Sequence, residues 1–140
     1  MEVYIYMLKA LLQKYSNVLI YLLLGALTTA VNYAIYFPLL NIFKLSAVLS
    51  NCIAWAVAVL VAFLTNKPYV FKSLDWSLPV VIPELLKFVV SRLASGALET
   101  GFLFITVDLL SINGNIMKLL ISIVVVIANY LTGKLIVFKK

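Results

Sequence analysis

Two charged side chains stand where charge is costly. Arg92 and Glu99 lie inside an apolar run from residue 84 to 110, long enough to cross a bilayer as a helix. A charge near the bilayer centre costs at least about 2.5–3.5 kcal/mol on insertion scales, so it requires a partner or a role. Arg92 is eight residues into the run, about 12 Å along a helix axis. A guanidinium at that depth can fork onto phosphate or carboxylate oxygens, or it can pair with Glu99 or with Glu84 of a neighbouring copy. Glu99 lies nearest the middle. It can carry a coupling proton, or pair with Arg92, Lys118 or a polar residue of the first span. Seven residues are two turns, about 10.5 Å along one face, which is too long for a direct pair along the helix. Each charge therefore needs another partner.

Uncharged polar residues accompany them. Asn32 and Tyr36 continue a stripe of small and polar residues with Gly25, Thr28 and Thr29, and Asn66 closes a second stripe of Asn51, Trp55, Ala58 and Ala62. Lys118, Ser122 and Asn129 share one face of a later run. Such stripes serve close helix packing or line a cavity. Lys118 either marks the outer interface or lines the same cavity as Arg92. Cys52 is the single cysteine and there is no histidine, so zinc and haem ligand sets are not expected and a Ser-His-Asp arrangement is impossible. The residue types point away from an enzyme, and no cofactor or metal is expected. Cys52 reads as a small buried apolar residue.

The elements that must position these residues follow from solvent. At 65% hydrophobic and 11% charged, the chain is far from a soluble domain. Segments of roughly 17–43, 46–66, 84–110 and 115–134 are each long enough to span. The expectation is an all-α integral membrane protein, residues 1–140 forming a single membrane domain with four transmembrane helices. Residues 3–15 form an amphipathic interfacial helix ahead of them, or else extend the first span. Residues 67–83, with Pro79, Pro83 and Trp76, read as an interfacial loop, and Pro38 as a kink near the outer end of span one. The net charge of +6 is a matter of topology and implies no nucleic acid. Lys9, Lys14, Lys67, Lys72, Lys87, Lys134, Lys139 and Lys140 flank both termini and the central loop, so these are expected on the cytoplasmic side of the cell membrane.

The chain also repeats itself. Residues 63–72 return as 130–139 with six identities at an offset of 67, the mark of an internal duplication. The halves are roughly 1–72 and 73–140. Two spans per half give both the same orientation, hence two parallel-repeat helical hairpins. Their interiors differ: Gly25 answers to Arg92 and Asn32 to Glu99.

Over nearly its whole length the chain resembles the GtrA-like family of small four-span membrane proteins. The resemblance rests on residues 21–33 (YLLLGALTTAVNY), 62–71 (AFLTNKPYVF), Phe88 and Arg92 in KFVVSR, Lys118, and residues 129–138 (NYLTGKLIVF). It implies positions of interest at Ala62, Asn66, Val70, Phe71, Phe88, Arg92, Lys118 and Asn129. Members often carry a basic residue or two after the asparagine that closes span two; here Lys67 is followed by Pro68. The resemblance implies a translocase that moves a polyprenyl-phosphate-linked sugar to the outer leaflet for cell-surface polysaccharide or glycan synthesis. Arg92 and Lys118 would take the phosphate in succession, while Asn32, Asn66, Asn129, Glu99 and Tyr36 would face the sugar. Four helices enclose little volume, so a homo-oligomer or a site open to lipid is expected. One alternative is a non-transporting subunit that scaffolds a membrane glycosyltransferase. Another is a proton-coupled exporter of small cations, for which Glu99 is the supporting feature and Arg92 and Lys118 the opposing ones.

Overall fold

A backbone N–H or C=O inside lipid has no water to bond, so an apolar chain crosses as helix. A computed structural model describes residues 1–139, with the side chains at positions 47, 48, 114, 115 and 118 outside the described set. The order is α1 (Glu2–Lys14), α2 (Ser16–Asn41), α3 (Ala47–Tyr69), α4 (Leu78–Leu103) and α5 (Gly114–Thr132). α4 continues into a π-helical stretch, Phe104–Leu109, and α5 into another, Gly133–Val137. Four described helical segments, Ser16–Asn41, Leu49–Tyr69, Leu78–Leu109 and Leu119–Val137, are long and apolar enough to cross a membrane. The chain forms two compact units, Met1–Leu74 and Asp75–Lys140.

In the first unit α2 packs along α3. Tyr15 (φ −105°, ψ 13°) leaves the helical region and separates α1 from α2, and α1 buries none of its residues. Tyr21 meets Phe71 edge-on, ring centroids 6.4 Å apart. α3 holds most of the buried side chains, among them a ridge spaced four residues apart: Ser50, Ala54, Ala58, Ala62 and Asn66. Side chains four apart line one row of a helix surface, and small ones let a neighbour approach closely. Cys52 is exposed, contrary to the burial its residue type suggests. It lies off the ridge, and nothing in an apolar helix's composition says which side is covered.

In the second unit α4 packs along α5. Phe88 meets Phe138 at 6.2 Å, 67 positions beyond the Tyr21–Phe71 pair. Helix ends match at the same offset. The Ser46 Oγ accepts from the Leu49 N–H at the start of α3, and the Asn113 Oδ1 accepts from the Ile116 N–H at the start of α5, both at 3.2 Å. The Phe43 and Leu45 N–H groups return to the Pro38 and Leu39 carbonyls as α2 ends; those of Leu110 and Ile112 return to Ile105 and Thr106. The Phe71 N–H donates to Asn66, and the Phe138 N–H to Gly133. These wide closing turns occupy carbonyls that a helix end leaves unbonded. Lys44, Lys72 and Ser111 follow them at φ 55°. A left-handed backbone costs a non-glycine residue roughly 1–2 kcal/mol, and the returned donors offset it.

Prolines explain the chief departure from the sequence reading. The connection between α3 and α4 covers only residues 70–77, not 67–83. Pro79 falls in the first turn of α4, where its missing N–H would have had no partner. Pro68 falls in the last turn of α3, and Pro83 removes one bond early in α4. α2 runs on through Pro38, whose carbonyl accepts both the Ile42 and Phe43 N–H groups as the helix closes. The Asp75 Oδ1 accepts from the Ser77 N–H at 2.8 Å, turning the chain into α4.

The paired caps give a direct test. Ser46→Ala should cost about 1 kcal/mol, read as earlier thermal unfolding of the detergent-solubilised protein. Asn113→Ala should cost a similar amount. Unchanged unfolding in both variants would deny the caps their role.

Candidate functional site

The charged core of the second unit is built on one turn of α4. Phe88 and Arg92 are four apart, which puts them on the same face. The Arg92 guanidinium carbon lies 4.9 Å from the centre of the Phe88 ring, within cation–π range. Phe88 is 2% exposed and is held in turn against Phe138. A desolvated cation–π contact is worth about 2 kcal/mol, so it offsets much of the cost of an arginine within a span. A ring contact consumes none of the five guanidinium N–H donors. The half-buried arginine is thus seated on an aromatic face.

Glu99 has different surroundings. The Ser122 hydroxyl of α5 donates to its Oε1 at 3.4 Å, a long bond. Beside it a cleft of about 280 Å³ opens between α4 and α5, lined among others by Ser95, Glu99, Phe102, Leu120, Val124 and Ala128. Its walls are almost wholly carbon, and Arg92 does not line it. Asn129 is half-buried further along α5. The Lys118 side chain lies outside the described residues.

In the first unit Ala62, Asn66 and Val70 follow one another at intervals of four and are all buried. The Asn66 Oδ1 has no hydrogen-bond partner. Phe71 is half-buried against Tyr21. Asn32 and Tyr36 are half-buried on α2, and the Tyr36 ring meets Phe37 edge-on at 5.5 Å. The structure therefore joins Phe88 to Arg92 and Glu99 to Ser122, and it sets Ala62, Asn66 and Val70 in one row.

Lys67 is the residue that sequence reasoning undervalues. It reads as a topological marker, yet it is fully buried, and its Nζ donates to the Ser73 Oγ at 2.8 Å. Its repeat counterpart Lys134 is exposed. The signal was its place beside Asn66 in the duplicated segment. Among the described residues no three His, Cys, Asp or Glu side chains come together as a metal site.

Residues 20–138 match the family described as "GtrA/DPMS, transmembrane domain". The "Uncharacterized membrane protein YwcD" of Bacillus subtilis is 34% identical over 120 residues, covering 86% of this chain and 94% of its own. The "Cell wall teichoic acid glycosylation protein GtcA" of Listeria monocytogenes is 28% identical over 123 residues, covering 88% and 85%. The protein of that name from Listeria innocua matches at the same identity and coverage. No solved structure matches the chain.

The seat of Arg92 predicts an unequal pair of truncations. Phe88→Ala should cost about 3 kcal/mol, as for a buried aromatic, in unfolding of the detergent-solubilised protein. Leu86→Ala, at a position 61% exposed, should cost no more than about 0.5 kcal/mol. Equal losses would show that Phe88 is not a packed anchor.

Proposed function

The chain belongs to the GtrA/DPMS transmembrane-domain family, and on that premise we propose that it is a translocase for polyprenyl-phosphate-linked sugar. The cargo would pass from the inner to the outer leaflet of the cytoplasmic membrane and supply sugar for a cell-surface glycan. The observation that carries this reading is Arg92, a guanidinium within a spanning helix held against the face of the Phe88 ring. A lipid monophosphate is the anion that an arginine within lipid is suited to meet, since the isoprenoid tail can remain in the hydrocarbon. Two relatives named for teichoic acid glycosylation support a role in decorating the cell envelope.

On this reading Arg92 takes the phosphate on the inner side and Lys118 receives it towards the outer side. Asn32, Tyr36, Asn66, Asn129 and Glu99 offer hydrogen bonds to the sugar. The flanking lysines support a cytoplasmic side for both termini and the 70–77 connection. The sugar is carried, not cleaved, so the protein is not an enzyme. Four spans enclose little volume, which favours a homo-oligomer or a groove open to lipid.

Purified protein in liposomes tests this with a polyprenyl-phosphate hexose labelled on the sugar. The wild type should speed its exchange between leaflets. Arg92→Gln should abolish that acceleration, while Arg92→Lys, which keeps charge without the fork, should retain a fraction. A wild type that binds the lipid without moving it would favour the scaffold subunit for a membrane glycosyltransferase.

A further inference from the structure

Two buried polar atoms at opposite ends of α3 lack partners, the Ser50 Oγ and the Asn66 Oδ1. Most described serine and threonine hydroxyls elsewhere in these helices bond within their own helix. The hydroxyls of Thr28, Thr65, Ser91, Ser95, Thr100 and Thr132 each donate to a carbonyl three or four residues back. Ser50 does not, although it is 0% exposed. A buried donor or acceptor left unbonded is destabilising, so such a group in a native fold calls for a bonding partner.

The two residues are the ends of one ridge. Ser50, Ala54, Ala58, Ala62 and Asn66 follow at intervals of four, each no more than 4% exposed. Between the ends the ridge presents methyl groups alone, with nothing to hold a polar cargo in mid-membrane. Sixteen residues span about 24 Å of helix, close to the hydrocarbon thickness of about 30 Å. The orphaned groups therefore stand near the two faces of the membrane.

The chemistry of the atoms selects the ligand. A carboxamide oxygen only accepts, and a serine hydroxyl both accepts and donates. An ionised phosphate offers acceptors alone and cannot satisfy Asn66 Oδ1. A sugar hydroxyl can donate to both. We propose that Ser50 and Asn66 are the outer and inner hydroxyl-binding stations for the sugar of the lipid-linked substrate, joined by the Ala54–Ala58–Ala62 ridge along which the sugar passes. This rests on the translocase reading and adds to it the groups on α3 that hold the sugar. The ridge is covered in this conformation, so the sugar reaches each station when the side chains over it separate, as alternating access requires.

The test uses the full chain in liposomes with two labelled probes, a polyprenyl-phosphate hexose and the bare polyprenyl phosphate. Ser50→Ala should slow exchange of the hexose lipid about tenfold, the effect of one lost hydrogen bond to a buried group. It should leave the bare lipid at the wild-type rate and the thermal midpoint unchanged or raised. Asn66→Leu should show the same selectivity. Hexose exchange at the wild-type rate in both variants overturns the proposal and leaves the translocase reading standing. Equal slowing of both probes, or a lowered midpoint, gives these residues a structural role and also overturns it. A wild type that moves neither probe overturns the translocase reading and this inference together.

Discussion

A carbonyl left over at a helix end near lipid has little water to bond, and the architecture follows from how this chain closes those ends. Wide turns return N–H groups to Pro38, Leu39, Asn66, Ile105, Thr106 and Gly133. A left-handed residue then carries the chain away at Lys44, Lys72 and Ser111. Ser46 and Asn113 begin the next helices with side-chain caps. Once the ends are satisfied, an almost entirely apolar run can remain helical across the bilayer with few polar side chains of its own. The polar residues that do lie inside are then conspicuous.

Equal frames hold unequal interiors. Tyr21 with Phe71 and Phe88 with Phe138 clasp the corresponding ends of the two units. Within them Gly25 stands where Arg92 does, Ala62 where Asn129 does, and Asn66 where Gly133 does, counting 67 positions on. Buried Lys67 and exposed Lys134 continue the contrast. The second unit seats an arginine in the membrane; the first keeps a buried carboxamide beside a buried lysine.

The four spans are legible in the sequence because length and apolarity are properties of the chain alone. That Arg92 falls within a span is legible for the same reason, and its seat on Phe88 is latent in the four-residue spacing. Other features needed the structure. Proline is usually a stop, yet Pro79 falls in a first turn where it costs nothing, so the central connection shrinks to residues 70–77. No residue type marks the π-helical register at Phe104–Leu109 or Gly133–Val137. The burial of Lys67 and the exposure of Cys52 depend on which side of α3 is covered, and an apolar helix does not encode that in composition. Glu99 is visible as a carboxyl within a span, but its bond to Ser122 across the helix pair is not.

Native mass spectrometry of the gently solubilised protein tests most directly whether Arg92 holds a lipid phosphate. The wild type should carry a bound polyprenyl-phosphate species whose mass includes a sugar, and Arg92→Gln, folded to the same thermal midpoint, should lose it. Equal occupancy by that lipid in the two proteins, or retention of the lipid after the guanidinium is gone, would contradict the phosphate seat on which the proposed function depends.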